Sequence, residues 1–377
     1  MKVFMKRILM TGITGLVGSA FATGVLKRDK NIEIIALTRG GANKDAETRV
    51  KETIREQCEF DGTPEFAEEA MSRITVIKRN IASPIPSSKI DSLTDIDVVF
   101  HCAADVNLGK DPYGKTYINN YQGTKNLVKI AKKLNVKSYH QVSTAYVAGK
   151  NPGVVYEDGP REDPIFNNSY EKSKYNAERV VRESGLPYTI YRPSIIVGNL
   201  KDGRIRRPLA FYRILEFFAK MKKQQCAKLN LQPHEPLSLD MRLQAHNSNK
   251  IYFVPIDYVQ KTITDLFFLE PSNKTYHVTG KNPGSLSDIA DISRDLLKIS
   301  GLDIVEKTKH LTIKEKLVNK FLGDLMPYFS TEIIFDTKNV EEALGEEALN
   351  WKVDYDALYI VIKAYFMNMF PEIIGPE

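Results

Sequence analysis

In SYEKSKYNAERV, residues 169–180, a phenol and an ammonium stand four positions apart, at Tyr170 and Lys174. Residues at i and i+4 are neighbours on a helix, so the lysine charge can stabilise a phenolate and lower the tyrosine pKa. A tyrosine tuned in this way protonates a developing alkoxide near neutral pH. Taken alone, the pair describes an ordinary surface helix better than a catalytic one. A second stretch, TGITGLVGSA, spaces Gly12, Gly15 and Gly18 as G-x-x-G-x-x-G. Glycines so placed let the chain turn tightly, let backbone approach a pyrophosphate, and leave a helix N-terminus free to bind its charge. The motif follows the first apolar run and opens the first helical pattern, the context that a dinucleotide site requires. About 20 residues further on, an NAD-selective site would carry Asp or Glu for the ribose hydroxyl. This chain instead reads LTRGG, and Arg39 points to a 2′-phosphate and hence to NADPH, with a solvated strand-end charge as the competing explanation.

The elements that must position these residues alternate along the chain. RILMTG, IEIIALTR, ITVIKRNI, DVVFHCAA, SYHQVSTAYV and LPYTIYRPSIIVG read as strands. GLVGSAFATGVLKR, ETRVKETIREQCEF, NNYQGTKNLVKIAKKL and the Tyr170 segment read as helices. Strands alternating with helices of this length predict a parallel sheet covered on both faces, a doubly wound, Rossmann-type α/β fold. Residues 1–200 form the predicted dinucleotide-binding domain, its sheet completed by about 250–280, and residues 201–377 a smaller substrate-binding lobe with a helical C-terminal region.

Composition narrows the function classes. Hydrophobic content of 42% and charged content of 27% suit a soluble enzyme, and no run approaches the length needed to cross a bilayer. The opening MKVFMKRILMTG leads into glycines and not into a cleavage site, so no secretory leader is expected. Three scattered cysteines, Cys58, Cys102 and Cys226, fit a reducing cytoplasm better than a disulfide framework. The six histidines show no metal-ligand spacing, so no metal is expected. A net charge of +6 without a dense basic stripe or a reading module argues against nucleic acid and leaves anionic small molecules as partners.

Taken in order, TGITGLVGSA, DVVFHCAADVNLGK, INNYQGTKNL, HQVSTAYVAG, YEKSK, YRPSIIVG and YFVPIDYV span most of residues 7–260. On these stretches the chain resembles the extended short-chain dehydrogenase/reductases, and within them it is similar to the fatty acyl-CoA reductase and thioester reductase branch. The resemblance implies Tyr170 as general acid and Lys174 as the group that tunes it and bonds the nicotinamide ribose. It implies Thr144 as the hydroxyl on the substrate carbonyl, and Asn120 as a support for the lysine through a water. Ser143 neighbours Thr144 on the opposite strand face, so only one of the two points into the site; Asn119 competes with Asn120 in the same way. The implied cofactor-binding set comprises Gly12, Thr14, Gly15, Leu16, Val17, Gly18, Arg39, Asn80, Ile81, Ala103, Ala104, Pro193 and Ser194, with Tyr170 and Lys174. Arg192 ends the same strand as Pro193 and Ser194. Asn80 departs from the family's usual Asp, although an amide still hydrogen-bonds an adenine amino group.

The implied reaction is NADPH-dependent reduction of an acyl thioester, on coenzyme A or a carrier protein, to an aldehyde and onward to an alcohol. Oxidation of a nucleotide sugar or a hydroxysteroid-like alcohol is the alternative. The chain shows no adenylation or carrier domain, so a carrier is expected in trans. Cys102 lies in an apolar strand with His101 facing away, and reads as a core cysteine and not a nucleophile. In PLAFYRILEFFAKMKKQQC, Leu209, Phe211, Tyr212, Leu215, Phe218 and Met221 form a wide apolar face. A core-facing helix is the first explanation; a lid over an acyl or pantetheine channel and a peripheral membrane contact are the others. ALYIVIKAYFMNMF reads as a docking helix, with membrane association again the competing reading.

Overall fold

Seven short strands alternate with helices: β1 (Lys6–Thr11), β2 (Ile32–Thr38), β3 (Ile74–Lys78), β4 (Val98–His101), β5 (Ser138–Val142), β6 (Tyr188–Pro193) and β7 (Lys274–Val278). The structure, a computed structural model, describes residues 6–41, 44–84, 93–159, 161–245, 250–306, 310–329 and 331–375. The first five residues, on which the leader reading partly rests, lie outside these. The strands form one parallel sheet in the order β3-β2-β1-β4-β5-β6-β7. The order reverses between β1 and β4, so the chain departs to opposite sides there and opens a crevice at the strand C-termini.

Coverage on both faces explains the near-continuous apolar strands. Ile8, Leu9 and Met10 of β1 are all fully buried. The pleat sends Ile8 and Met10 to a core that includes Phe21 and Phe100, and Leu9 to the opposite core with Val99 and Leu127. Phe21, on the glycine-rich helix Leu16–Arg28, stacks on Phe100 of β4 with centroids 3.5 Å apart. That contact sets the helix against the sheet and aims its N-terminus at the crevice.

Four local expectations are revised. SYHQVSTAYV is not one strand: β5 stops at Val142, and Ala145–Ala148 is a tight 3₁₀ turn that Thr144 caps by accepting from the Tyr146 N–H at 3.3 Å. LPYTIYRPSIIVG breaks at Ser194, and Ile195–Val197 pairs with Phe253–Pro255 outside the main sheet, which β7 completes. ITVIKRNI ends as a strand at Lys78, leaving Asn80 in a turn. The helix ending at Lys133 carries a π turn over Ile118–Gln122.

The apolar face expected between residues 208 and 226 forms the helix Tyr212–Lys228, with Phe211, Tyr212, Leu215, Phe218 and Met221 buried, whereas Leu209 precedes the helix and is exposed. Tyr212 packs on Tyr365 of the helix Tyr355–Met369, whose Leu358, Val361, Ile362 and Phe366 are fully buried. Core packing and docking therefore account for both segments. Among the described residues, no helix is long and apolar enough to cross a membrane.

A buried ion pair ties these layers together. Arg192 of β6 donates from Nε and Nη2 to the Glu178 carboxylate at 3.0 and 2.7 Å, and neither residue is exposed. Arg192 Nη1 also donates to His277 Nε2 at 3.2 Å, while His277 Nδ1–H donates to the Asp336 carbonyl at 2.6 Å. Burial and the arginine charge together hold His277 down to about 3, so it is neutral with its tautomer fixed. Removing one partner leaves a buried charge uncompensated, whereas replacing both does not. Glu178→Gln should therefore cost about 3–5 kcal/mol, and the paired change Glu178→Leu with Arg192→Met far less. Urea unfolding midpoints of the single and paired variants measure this; equal losses would contradict it.

Candidate active site

Two cavities meet over the C-terminal ends of β1, β4 and β5. One, of about 550 Å³, is lined by Gly12, Thr14, Gly15, Arg39, Asn80, Ile81, Ala103, Ala104, Asn119 and Asn120. The other, of about 410 Å³, is lined by Leu16, Val17, Thr144, Tyr170, Lys174, Pro193 and Ser194. Gly15, Cys102, Ala104 and Arg207 border both. Of the residues singled out in the sequence, Gly18 lines neither cavity, and its reason is packing: a Cβ there would lie 2.1 Å from the Gly12 carbonyl oxygen.

The first cavity has the shape of a dinucleotide cradle. Gly12 has φ +80°, and a Cβ on it would lie 2.5 Å from the Ala103 N, so backbone closes directly on backbone. The helix Leu16–Arg28 begins at Gly15 without a side-chain cap and without an acidic residue in its first turn, leaving its N–H groups for an anion. Thr11 Oγ1 accepts the Ala103 N–H at 3.2 Å and lies 2.6 Å from His101 Nδ1; His101 Nε2 continues to Thr124 Oγ1 at 3.1 Å. Burial holds His101 down to about 3, so this neutral chain pins the end of β4.

At the far end Arg39 is exposed beside the glycine turn that follows β2, and Arg49, Arg79 and Arg207 join it in the lining. The sequence reading missed these three. Arg49 donates to the Arg39 carbonyl at 2.5 Å, a contact made by a helix ten residues on. Arg207 reaches back to the Thr14 carbonyl at 2.9 Å across 193 residues. Only the position of Arg79 beside Asn80 was a signal available in the sequence.

The second cavity brings together the phenol, the ammonium and the hydroxyl. The helix Ser169–Arg182 begins at Asn168, whose side chain accepts the Glu171 N–H at 3.0 Å, and its first turn holds Tyr170 at the cavity. Burial raises the Tyr170 phenol well above its ordinary value, while a hydrogen bond with Thr144 works in the opposite direction. The expected lowering by Lys174 is not found: the Lys174 ammonium, itself buried, donates to the Val142 carbonyl at 2.6 Å. Its burial brings Lys174 down to about 8, which leaves it charged at neutral pH. The expected separation of Thr144 and Ser143 on opposite strand faces does not hold: both lie beyond the end of β5 and both line the cavity, Thr144 near Tyr170 and Ser143 near Glu178. Asn120 donates to Ser173 Oγ at 2.9 Å and the Asp105 carbonyl at 3.0 Å, and accepts the Asp105 N–H at 2.7 Å. It therefore locks the strand-end loop to the residue preceding Lys174, whereas Asn119 bonds the Asp105 carboxylate.

Cys102 is a partial correction. It borders both cavities and does not lie wholly in the core, yet burial pushes its thiol up to about 12, so it is no thiolate nucleophile. Arg192, one residue before Pro193, turns away into its ion pair. The remaining walls of the second cavity are apolar: Val106, Leu108, Ile196, Leu209, Phe211, Leu325 and Phe329, with the rings of Tyr146 and Tyr328. Among the described residues no group of three or more His, Cys, Asp or Glu is placed to hold a metal ion.

Residues 10–263 match an NAD-binding family described as male sterility protein. A linear gramicidin synthase protein of Brevibacillus parabrevis is 26% identical over 295 residues, 74% of this chain but 5% of that protein. Carboxylic acid reductase of Segniliparus rugosus is 26% identical over 285 residues, 69% of this chain and 23% of its own length. The chain thus spans a minor part of these curated relatives. The terminal R domain from the myxalamid PKS-NRPS biosynthetic pathway superposes with a TM-score of 0.76 at 22% identity, covering 98% of this chain and 93% of that one, a likeness of fold. With two thirds of its length in the family match and the glycine cradle and the Thr144, Tyr170 and Lys174 cluster at the sheet's crevice, the chain belongs to the NAD-binding male sterility protein family, a reductase branch of the extended short-chain dehydrogenase/reductase enzymes.

Proposed function

We propose that this protein reduces an acyl thioester, on coenzyme A or a carrier protein, to an aldehyde with NADPH. The observation that carries this reading is the convergence of Thr144, Tyr170 and Lys174 on an apolar cavity that opens into an arginine-lined one. The likeness to a carboxylic acid reductase and to a linear gramicidin synthase supports it.

The residues present fit the dinucleotide. Gly12 leaves room for backbone where a Cβ would collide, the uncapped helix start at Leu16 suits the pyrophosphate, and Arg39 with Arg49 and Arg79 suits a ribose phosphate. When bound, NADPH supplies a hydride to the thioester carbonyl carbon. Thr144 and Tyr170 hydrogen-bond the carbonyl oxygen, where negative charge develops. Tyr170 gives that oxygen its proton, and its raised pKa keeps the proton on the phenol until an alkoxide is there to take it. Lys174 holds a positive charge one helical turn from Tyr170, bonds the ribose, and stabilises the phenolate that remains. The apolar walls exclude water, which strengthens each of these interactions. Collapse of the tetrahedral adduct expels the thiol and leaves the aldehyde; a second reduction of the same kind gives the alcohol.

Purified protein with NADPH and acyl-CoA should show thioester-dependent NADPH oxidation with release of free thiol. Tyr170→Phe should lower turnover about 10²–10⁴-fold while keeping cofactor affinity. Activity confined to oxidised cofactor and a nucleotide sugar would replace the reading. Arg39→Ala should weaken NADPH by about 1.5–3 kcal/mol, the size of a charge-assisted hydrogen bond, and leave NADH almost unchanged. Titration of both cofactors by protein fluorescence separates this from a structural role, which would weaken both alike. NADPH affinity should also fall as pH rises through about 8, because Lys174 is cationic below that value and neutral above it. The same titration in Lys174→Met should be weak and flat over that range.

A further inference from the structure

The C-terminal lobe reaches the helix turn of the proposed proton donor through the Tyr328 side chain. Tyr328 sits on the short turn Met326–Phe329, and its hydroxyl accepts from Asn168 Nδ2 at 2.7 Å across 160 residues of chain. Asn168 is the residue that caps the Tyr170 helix. The same hydroxyl lies beside the fully buried Glu171, whose carboxyl burial raises above its ordinary value while Asn167 and Tyr328 work in the opposite direction. Glu171 also accepts from the Asn167 backbone N–H at 2.7 Å and from Asn167 Nδ2 at 2.9 Å. Both residues that Tyr328 holds lie within two positions of Tyr170. Its ring meets Tyr146 edge-on, centroids 4.8 Å apart, and Tyr146 belongs to the turn that Thr144 caps. Both rings line the apolar cavity.

Tyr328 thus has a face toward whatever fills the cavity and a hydroxyl on the helix turn that carries Tyr170. We propose that Tyr328 is a positioning residue through which an apolar acyl group in the cavity aligns Tyr170 with the carbonyl oxygen. The lobe then does more than enclose the acyl chain: contact with the Tyr328 ring steadies the hydroxyl that holds Asn168 and Glu171. Alignment of this kind acts on turnover, because a small misplacement of a reacting group costs rate even where binding is unchanged. The inference rests on the proposed role of Tyr170.

The test uses the whole protein, NADPH and the acyl-CoA with the highest turnover. Tyr328→Phe keeps the ring and removes the hydroxyl. It should lower kcat about 10–100-fold with KM, NADPH affinity and melting temperature near those of the parent, and should raise the solvent deuterium isotope effect as proton donation becomes limiting. Asn168→Ser keeps an oxygen for the helix cap but loses the amide that reaches Tyr328, so it should reproduce the same pattern. Wild-type kcat in Tyr328→Phe overturns the inference, as does a kcat loss matched by loss of cofactor affinity and of melting temperature. If Tyr328→Phe does not fold, Asn168→Ser decides on the same criteria. Tyr170→Phe measured alongside separates the two failures: full turnover there removes the catalytic reading itself, whereas an impaired Tyr170→Phe beside a normal Tyr328→Phe removes this inference alone.

Discussion

A guanidinium and a carboxylate that have both left water decide how the helix Ser169–Arg182 meets the sheet. Arg192 and Glu178 have no exposed surface, and such ions persist only as partners in good geometry. Tyr170, Lys174 and Glu178 follow at intervals of four on one helix, so they share a face. Once Glu178 must meet Arg192 near the end of β6, the rotation and height of the helix are set. Lys174 then reaches the end of β5 at Val142, and Tyr170 reaches the cavity next to Thr144. The same arginine extends through His277 to Asp336, so the pair also anchors the lobe.

The division of labour between the cavities is electrostatic. The first is lined by backbone, amides, four arginines and one carboxylate, Asp105, a net positive lining that suits a polyanion. The second is walled mainly by apolar side chains, with Thr144, Tyr170 and Lys174 together on one wall, a lining that suits an apolar ligand carrying a polar group. Arg207, exposed and bordering both, stands where they join. Burial sets the charge states at the junction: it keeps the Tyr170 proton on, disfavours the Cys102 thiolate, and leaves Lys174 cationic at neutral pH but with little margin.

Much of this site was legible in the chain. Glycines at positions 12 and 18 report a backbone collision that any side chain would cause, and that requirement is written in residue type. Tyr170 and Lys174 sit at helical spacing, and Thr144 was pointed to by the family resemblance. The errors fell where local propensity loses to a single cap or break. Thr144 turns the chain after β5 by capping the 3₁₀ turn, and the break at Ser194 sends Ile195–Val197 to a different partner. Both segments carry β-branched residues that read as continuing strands.

Periodicity and residue type, then, determined the doubly wound sheet, the glycine cradle and the tyrosine helix, because each depends on contacts within a few residues or on the absence of a side chain. Tertiary structure alone decided which arginines join Arg39, which lobe residue touches the Tyr170 turn, and the charge state of each buried group. Arg207 meets Thr14 across 193 residues, and Tyr328 meets Asn168 across 160. No spacing rule spans such separations. The pKa of Tyr170 went against the sequence expectation for the same reason: the i+4 neighbour is visible in the chain, but the desolvation that raises the phenol and the Val142 carbonyl that takes up the ammonium exist only once the walls are assembled.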